Sequence, residues 1–166
     1  RLVNEKISHT SYSHPWGNVL PLLKKSDVNI LNLETTLTRS DKIVPKVFNF
    51  KADPDKVKSL QEARVDAVTI ANNHILDYSE EGLLETIDVL DKAGIKHTGA
   101  GKNNEEAREP LIVSIKGIRS GIIGCTDNEP EWKASQNPGT NYIEVGDIDT
   151  IKSSVNKIRD QVDILI

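Results

Sequence analysis

The chain has 166 residues, 37% of them hydrophobic and 28% charged, with a net charge of -4 at neutral pH. That is enough for one globular domain with a real core, and the lack of any basic block or long apolar run argues against nucleic-acid binding and against a membrane span within it. The one cysteine, Cys125, excludes an internal disulfide and, lying in the apolar run 121–125, reads as a buried inert thiol.

Residues 1–14 are mixed and polar, and Arg1-Leu2-Val3-Asn4-Glu5-Lys6 has no apolar core of the signal-peptide kind behind it. Val19, Leu22 and Leu23 share one side of a short helix over 18–25, with Pro15 before it. Asp27 leads into Val28-Asn29-Ile30-Leu31-Asn32-Leu33, a strand that ends on Glu34 and Thr35-Thr36-Leu37-Thr38. A loop over 39–52 holds Pro45 and the pair Phe48 and Phe50, candidate anchors. Asp53-Pro54 starts a helix, proline suiting the first helical position, and Val57, Leu60 and Ala63 carry it to about Arg64.

Val65, Val68 and Ile70 then mark a buried strand that stops on Asn72-Asn73-His74. A helix over 80–93 follows, with Leu83, Leu84, Ile87 and Leu90 as one apolar stripe, an acidic first turn and Gly94 at its end. Ile95-Lys96-His97-Thr98 is a short strand, and Gly99-Ala100-Gly101 a turn rather than a dinucleotide loop. The strands 111–115 and 120–125 flank a short connection and form an antiparallel hairpin. Residues 126–147 read as a long loop of the kind that forms lids or mobile segments, with Trp132 most simply an anchor. Ile151, Val155, Ile158 and Val162 mark an amphipathic helix, and Asp163-Ile164-Leu165-Ile166 starts a last strand. The alternation implies an α/β fold: a layered, mostly parallel sheet with helices on both faces, in one domain over 1–166 that is cut at both ends.

Two strand ends carry polar residues that do not suit a core: Asn32-Leu33-Glu34 and Asn72-Asn73-His74. If the strands are parallel, these ends face one crevice, where ligands of open α/β sheets sit. A carboxylate, amide oxygens and an imidazole are donors for a divalent ion of the magnesium, manganese or zinc type. Glu34 is then a metal ligand or a general base, and His74 a metal ligand or a proton donor just outside the metal shell. Asp77 either caps the following helix or hydrogen-bonds His74. His97 reads as structural, and His9 and His14 as surface residues.

Asn32-Leu33-Glu34 with Thr35-Thr36, Ala71-Asn72-Asn73-His74 with Asp77, Gly82-Leu83 and Thr86, and Gly99-Ala100-Gly101 with Glu106-Ala107 and Pro110 resemble the bacterial capsule synthesis family of CapA type, the poly-gamma-glutamate synthesis proteins. The resemblance covers about residues 15–125. It implies a metallophosphoesterase-like fold and a divalent metal site, with Glu34 in the place of a metal-binding acid, Asn73 as a metal ligand and His74 as a phosphate-facing histidine; Asn72 is read as a further metal-site residue, and His74 and Asp77 as the catalytic residues. It implies a possible metal-dependent hydrolase of the cell envelope, on the extracytoplasmic side, working with an anionic polymer such as poly-gamma-glutamate or capsular polysaccharide and with other synthesis and export components. A non-catalytic scaffold for polymer export, and a phosphoesterase on small phosphate esters, are the alternatives. The family's Gly-Asp motif would precede Arg1 and its later histidine motifs would follow Ile166, and Ser79 stands where the family commonly has glycine.

Overall fold

The computed structural model describes the backbone from Leu2 and the side chains from Asn4, through to Ile166. The chain gathers into two compact units, Arg1–Val68 with His74–Lys96, and Thr69–Asn73 with His97–Ile166.

The first unit begins with α1 (Leu2–His9) and α2 (Leu20–Lys25), the latter entered through a 3-10 turn at His14–Val19. Then come β1 (Ile30–Asn32), β2 (Thr36–Leu37), β3 (Lys51–Ala52), α3 (Val57–Glu62), β4 (Ala67–Thr69), α4 (Ser79–Ala93) and β5 (Lys96–Thr98), the last of which leads out of the unit. The helix expected from Asp53 is shorter than its spacing implied: Pro54–Lys56 is a 3-10 turn, and Asp53 makes no side-chain cap. β1, β4 and β5 belong to one three-stranded sheet in the order β1-β4-β5. β2 and β3 pair in parallel, Thr36 beside Lys51 and Leu37 beside Ala52.

The long helix α4 seats on β2. Its buried residues are Gly82, Leu83, Thr86, Ile87 and Leu90, successive three- and four-residue steps. Leu84, expected in the stripe, falls outside those steps and is exposed. A Cβ on Gly82 would lie 2.8 Å from the Cβ of Tyr78 at the start of the helix, while the Thr36 and Thr38 methyls stand at an ordinary contact distance of 3.6 Å. Thr86 closes the contact, its hydroxyl donating to the Gly82 carbonyl at 2.7 Å and accepting from the Leu37 N–H at 2.9 Å. Gly94, at φ 71°, ends the helix, with the Ile95 N–H returning to the Leu90 carbonyl and the Gly94 N–H to Asp91.

The second unit contains β6 (Ala100–Gly101), α5 (Asn104–Ala107), β7 (Leu111–Ile115), β8 (Ile118–Ile122), β9 (Gly139–Thr140), α6 (Ile148–Ile158) and β10 (Ile164–Leu165). β7 and β8 form the expected antiparallel hairpin, and β10 adds to β8 in parallel. Lys116 and Gly117 make its two-residue turn, both at positive φ (51° and 84°), the twist that matches hairpin strands. The segment 126–147 is not an open loop. Trp132 is buried, Gly139 and Thr140 pair antiparallel with β6, and the Asn141 N–H donates to the Gly99 carbonyl. Cys125 is exposed rather than buried. The alternation that turns Ile122 and Gly124 inward turns Cys125 out, and its thiol is pushed up by partial burial and by nearby Asp127.

The architecture is thus α/β, with helices and parallel strand pairs. Instead of one broad sheet, the described strands form two three-stranded and two two-stranded sheets, with β7/β8 and β6/β9 antiparallel.

The Thr86 hydroxyl is the partner of a buried Leu37 N–H, so shape alone will not replace it. Thr86→Val should cost about 1–3 kcal/mol in urea unfolding, and Thr86→Ser, which loses only a buried methyl, about 1 kcal/mol. Parent-like stability of the valine variant would show that the hydroxyl does not hold α4 to β2.

Candidate functional site

After β4 the chain turns tightly before α4. The Asp77 N–H donates to the His74 carbonyl and the Ser79 N–H to that of Leu76, while Ile75 and Leu76 are buried. The three-residue step brings His74 and Asp77 to the same side of the turn. Ser79 has φ 62°, in the left-handed region where glycine is cheapest, and its hydroxyl donates to the Lys42 carbonyl at 2.7 Å.

Asp77 has no exposed surface. One carboxylate oxygen accepts from the Phe50 N–H at 2.6 Å and lies 2.7 Å from His74 Nδ1; the other accepts from Lys46 Nζ at 3.0 Å. Its backbone carbonyl accepts from the Val44 N–H at 2.9 Å and the Asn49 amide at 3.3 Å. Asp77 therefore hydrogen-bonds His74, one of the two roles open to it, and α4 has no side-chain cap. Phe50 also stacks on the imidazole, ring centroids 4.1 Å apart at 24°. Both expected aromatic anchors are exposed, Phe48 more so than Phe50, and Phe50 acts through this stacking.

Because Asp77 is surrounded by donors, it accepts from His74, which puts a ring proton on Nδ1 and leaves Nε2 on the Glu34 side. Nε2 lies 3.9 Å from Glu34 Oε1, too far for a direct hydrogen bond. Glu34 is exposed just beyond β1, and its other oxygen accepts a long bond of 3.4 Å from the Asn32 amide. Where the ring is neutral, a lone pair and a carboxylate oxygen on either side of that gap suit something positive or hydrogen-bearing between them. A divalent ion meets that demand, and a carboxylate-oriented histidine is a common metal-ligand arrangement. Glu34 and His74 thus fit two positions of a metal set. Asp77, its oxygens already taken, does not offer a third, and among the described residues no three His, Cys, Asp or Glu side chains are grouped to hold an ion.

Asn72 is buried and Asn73 half-buried, both in the second unit. His97 is half-buried on β5, and His9 and His14 are exposed. The structure thus brings Glu34, His74 and Asp77 together in the first unit. It adds Lys46 and Phe50, whose roles the sequence did not indicate: nothing local links a loop lysine to a carboxylate 31 residues away.

Losing Lys46 leaves a buried carboxylate oxygen without its charged donor. Lys46→Met should cost about 2–3 kcal/mol in urea unfolding, a hydrogen bond to a charged group, while Lys46→Arg should keep most of it. Equal stability of Lys46→Met and the parent would remove Lys46 from the network.

A family model described as bacterial capsule synthesis protein PGA_cap matches residues 1–166. A probable polyglutamine synthesis accessory protein of Mycobacterium tuberculosis is 37% identical over 134 residues, covering 75% of this chain and 35% of that protein. The capsule biosynthesis protein CapA of Bacillus anthracis is 29% identical over 131 residues, covering 76% of this chain and 32% of that protein. The chain spans about a third of the length of these relatives. A 5'-nucleotidase precursor from Thermus thermophilus aligns with a TM-score of 0.42 at 17% identity, over 65% of this chain and 22% of that one, too slight a likeness to bear on function. Matched along its whole length, the chain belongs to the bacterial capsule synthesis protein PGA_cap family.

Proposed function

We propose that this chain is part of a metal-dependent enzyme, or of a component derived from one, that makes, anchors or releases an anionic capsule polymer such as poly-gamma-glutamate or capsular polysaccharide. It works at the cell envelope, on the extracytoplasmic side, beside other synthesis and export components; among the described residues no helix is long and apolar enough to cross a membrane. The reading draws on the family and rests on one observation: an imidazole fixed by a buried carboxylate presents Nε2 to Glu34 across 3.9 Å.

In this reading Glu34 and His74 would hold a manganese, magnesium or zinc ion. A bound ion of this kind polarises a carbonyl or phosphoryl oxygen and activates water. Asp77 is a positioning residue: it fixes the His74 tautomer and aims Nε2. Phe50 covers one face of the imidazole and limits the ring's freedom to turn. Alternatively Nε2 carries a proton to a leaving group, leaving Glu34 as the principal ligand.

Calorimetric titration of manganese and zinc into the full-length protein tests this. Glu34→Gln should weaken binding at least tenfold, about 1.4 kcal/mol. His74→Ala should weaken it similarly if Nε2 is a ligand, and should lose only turnover if Nε2 is a proton carrier. A folded parent that binds neither metal would sink the metal mechanism and favour a non-catalytic polymer scaffold.

A further inference from the structure

Apart from the His74 group, the first unit carries a cleft of about 500 Å³ lined by Tyr12, Lys24, Lys58, Gln61, Glu62 and Arg64. A neighbouring hollow of about 510 Å³ shares Tyr12 and Glu62 in its walls. Its lysine and aspartate, Lys56 and Asp55, are paired at 3.0 Å. Asp55 also accepts from the Tyr12 hydroxyl at 2.9 Å, a bond that raises the Tyr12 phenol above its ordinary value. The two hollows together are far larger than a single small anion needs.

The charges of the first cleft do not cancel. Lys24 lies 3.6 Å from Glu62, so those two offset each other. Lys58 and Arg64 have no acidic partner among the described residues. Lys58 Nζ sits 5.5 Å from the centre of the Tyr12 ring, which steadies the ammonium without neutralising it. Arg64 donates once, from Nη1 to the Lys24 carbonyl at 2.8 Å, which fixes the guanidinium while using one of its five N–H groups. Two uncompensated cations thus line one cleft of a chain whose net charge is -4.

Arg64 has φ 54° as the residue after the C-cap of α3, where its N–H returns to the Gln61 carbonyl and the Val65 N–H to that of Leu60. Glycine is the usual residue at such a helix end, and a side chain there costs about 1 kcal/mol.

We propose that this cleft is a binding subsite for an extended polyanion bearing carboxylates, with Lys58 and Arg64 each meeting one carboxylate beside Tyr12. An arginine fork matches a carboxylate in shape as well as charge. The choice of a carboxylate chain rests on the capsule-polymer reading above; the basic cleft itself does not.

The test is fluorescence anisotropy at low salt, with a labelled gamma-linked glutamate oligomer, an uncharged polyglutamine peptide and inorganic polyphosphate as probes. Arg64→Gly removes the cation and relieves the backbone, so the variant should fold at least as well as the parent. Arg64→Gly and Lys58→Gln should each weaken oligoglutamate binding about threefold to fivefold, and raising the salt should weaken the parent more than the double variant. Lys152→Gln, an exposed lysine on α6, should bind as the parent does. Parent-like binding by the double variant would overturn the subsite and leave the polymer reading standing. Binding of polyphosphate but not oligoglutamate would overturn the carboxylate assignment. If the parent binds neither polyanion, the subsite fails, and with it the poly-gamma-glutamate form of the polymer reading.

Discussion

A carboxylate without solvent contact has to be surrounded by donors, because an ionised group left alone inside a protein costs several kcal/mol. Asp77 meets that requirement from three parts of the first unit at once: the Lys46 ammonium, the Phe50 N–H and His74 Nδ1. Its carbonyl adds Val44 and Asn49. A loop with little regular structure is thereby tied to the turn before α4. The histidine ring gains a single orientation from the same contacts.

Phe50 is where this network joins the sheet. Its N–H serves Asp77 and its ring covers His74, while its carbonyl accepts from the Thr36 N–H at 3.2 Å and the Thr36 hydroxyl at 3.0 Å. Thr36 lies on β2, which is bonded to α4 through Thr86. At the far end of β2, Glu85 of the same helix accepts from the Thr38 hydroxyl and the Arg39 N–H. The seating of α4 on β2 and the orientation of His74 are therefore two consequences of one connected set of bonds.

Much of this is legible in the residues themselves. Glu34 and His74 stand out because polar groups at the ends of apolar strands have no place in a core, and Gly94 and the hairpin follow from local backbone chemistry. Other features depend on distant partners. Lys46 and Phe50 reach Asp77 across 31 and 27 residues, and no periodicity carries such a link. Leu84 continues the apolar run on α4 and so reads as part of its stripe, while the steps that meet β2 pass through Gly82 and Thr86. Segment 126–147 reads as a loop because its order comes from Trp132 and pairing with β6, not from alternation within itself.

The donors around the 3.9 Å gap differ in freedom, and that difference bears on what the site can do. His74 is buried, stacked and hydrogen-bonded, so its Nε2 direction is set in advance. Glu34 is exposed and, among the described residues, held by one long bond from Asn32, so its carboxylate can adjust. A pre-set imidazole facing an adjustable carboxylate suits an occupant whose position is fixed from one side and closed from the other. It also implies that such a pair alone grips weakly, since moving Glu34 inward carries an entropic cost. Catalysis on a long polymer eases that demand when part of the binding energy comes from portions of the chain remote from the reacting bond. The proposed cleft beside Lys58 and Arg64, carried by the same unit, is where such a remote portion would be held.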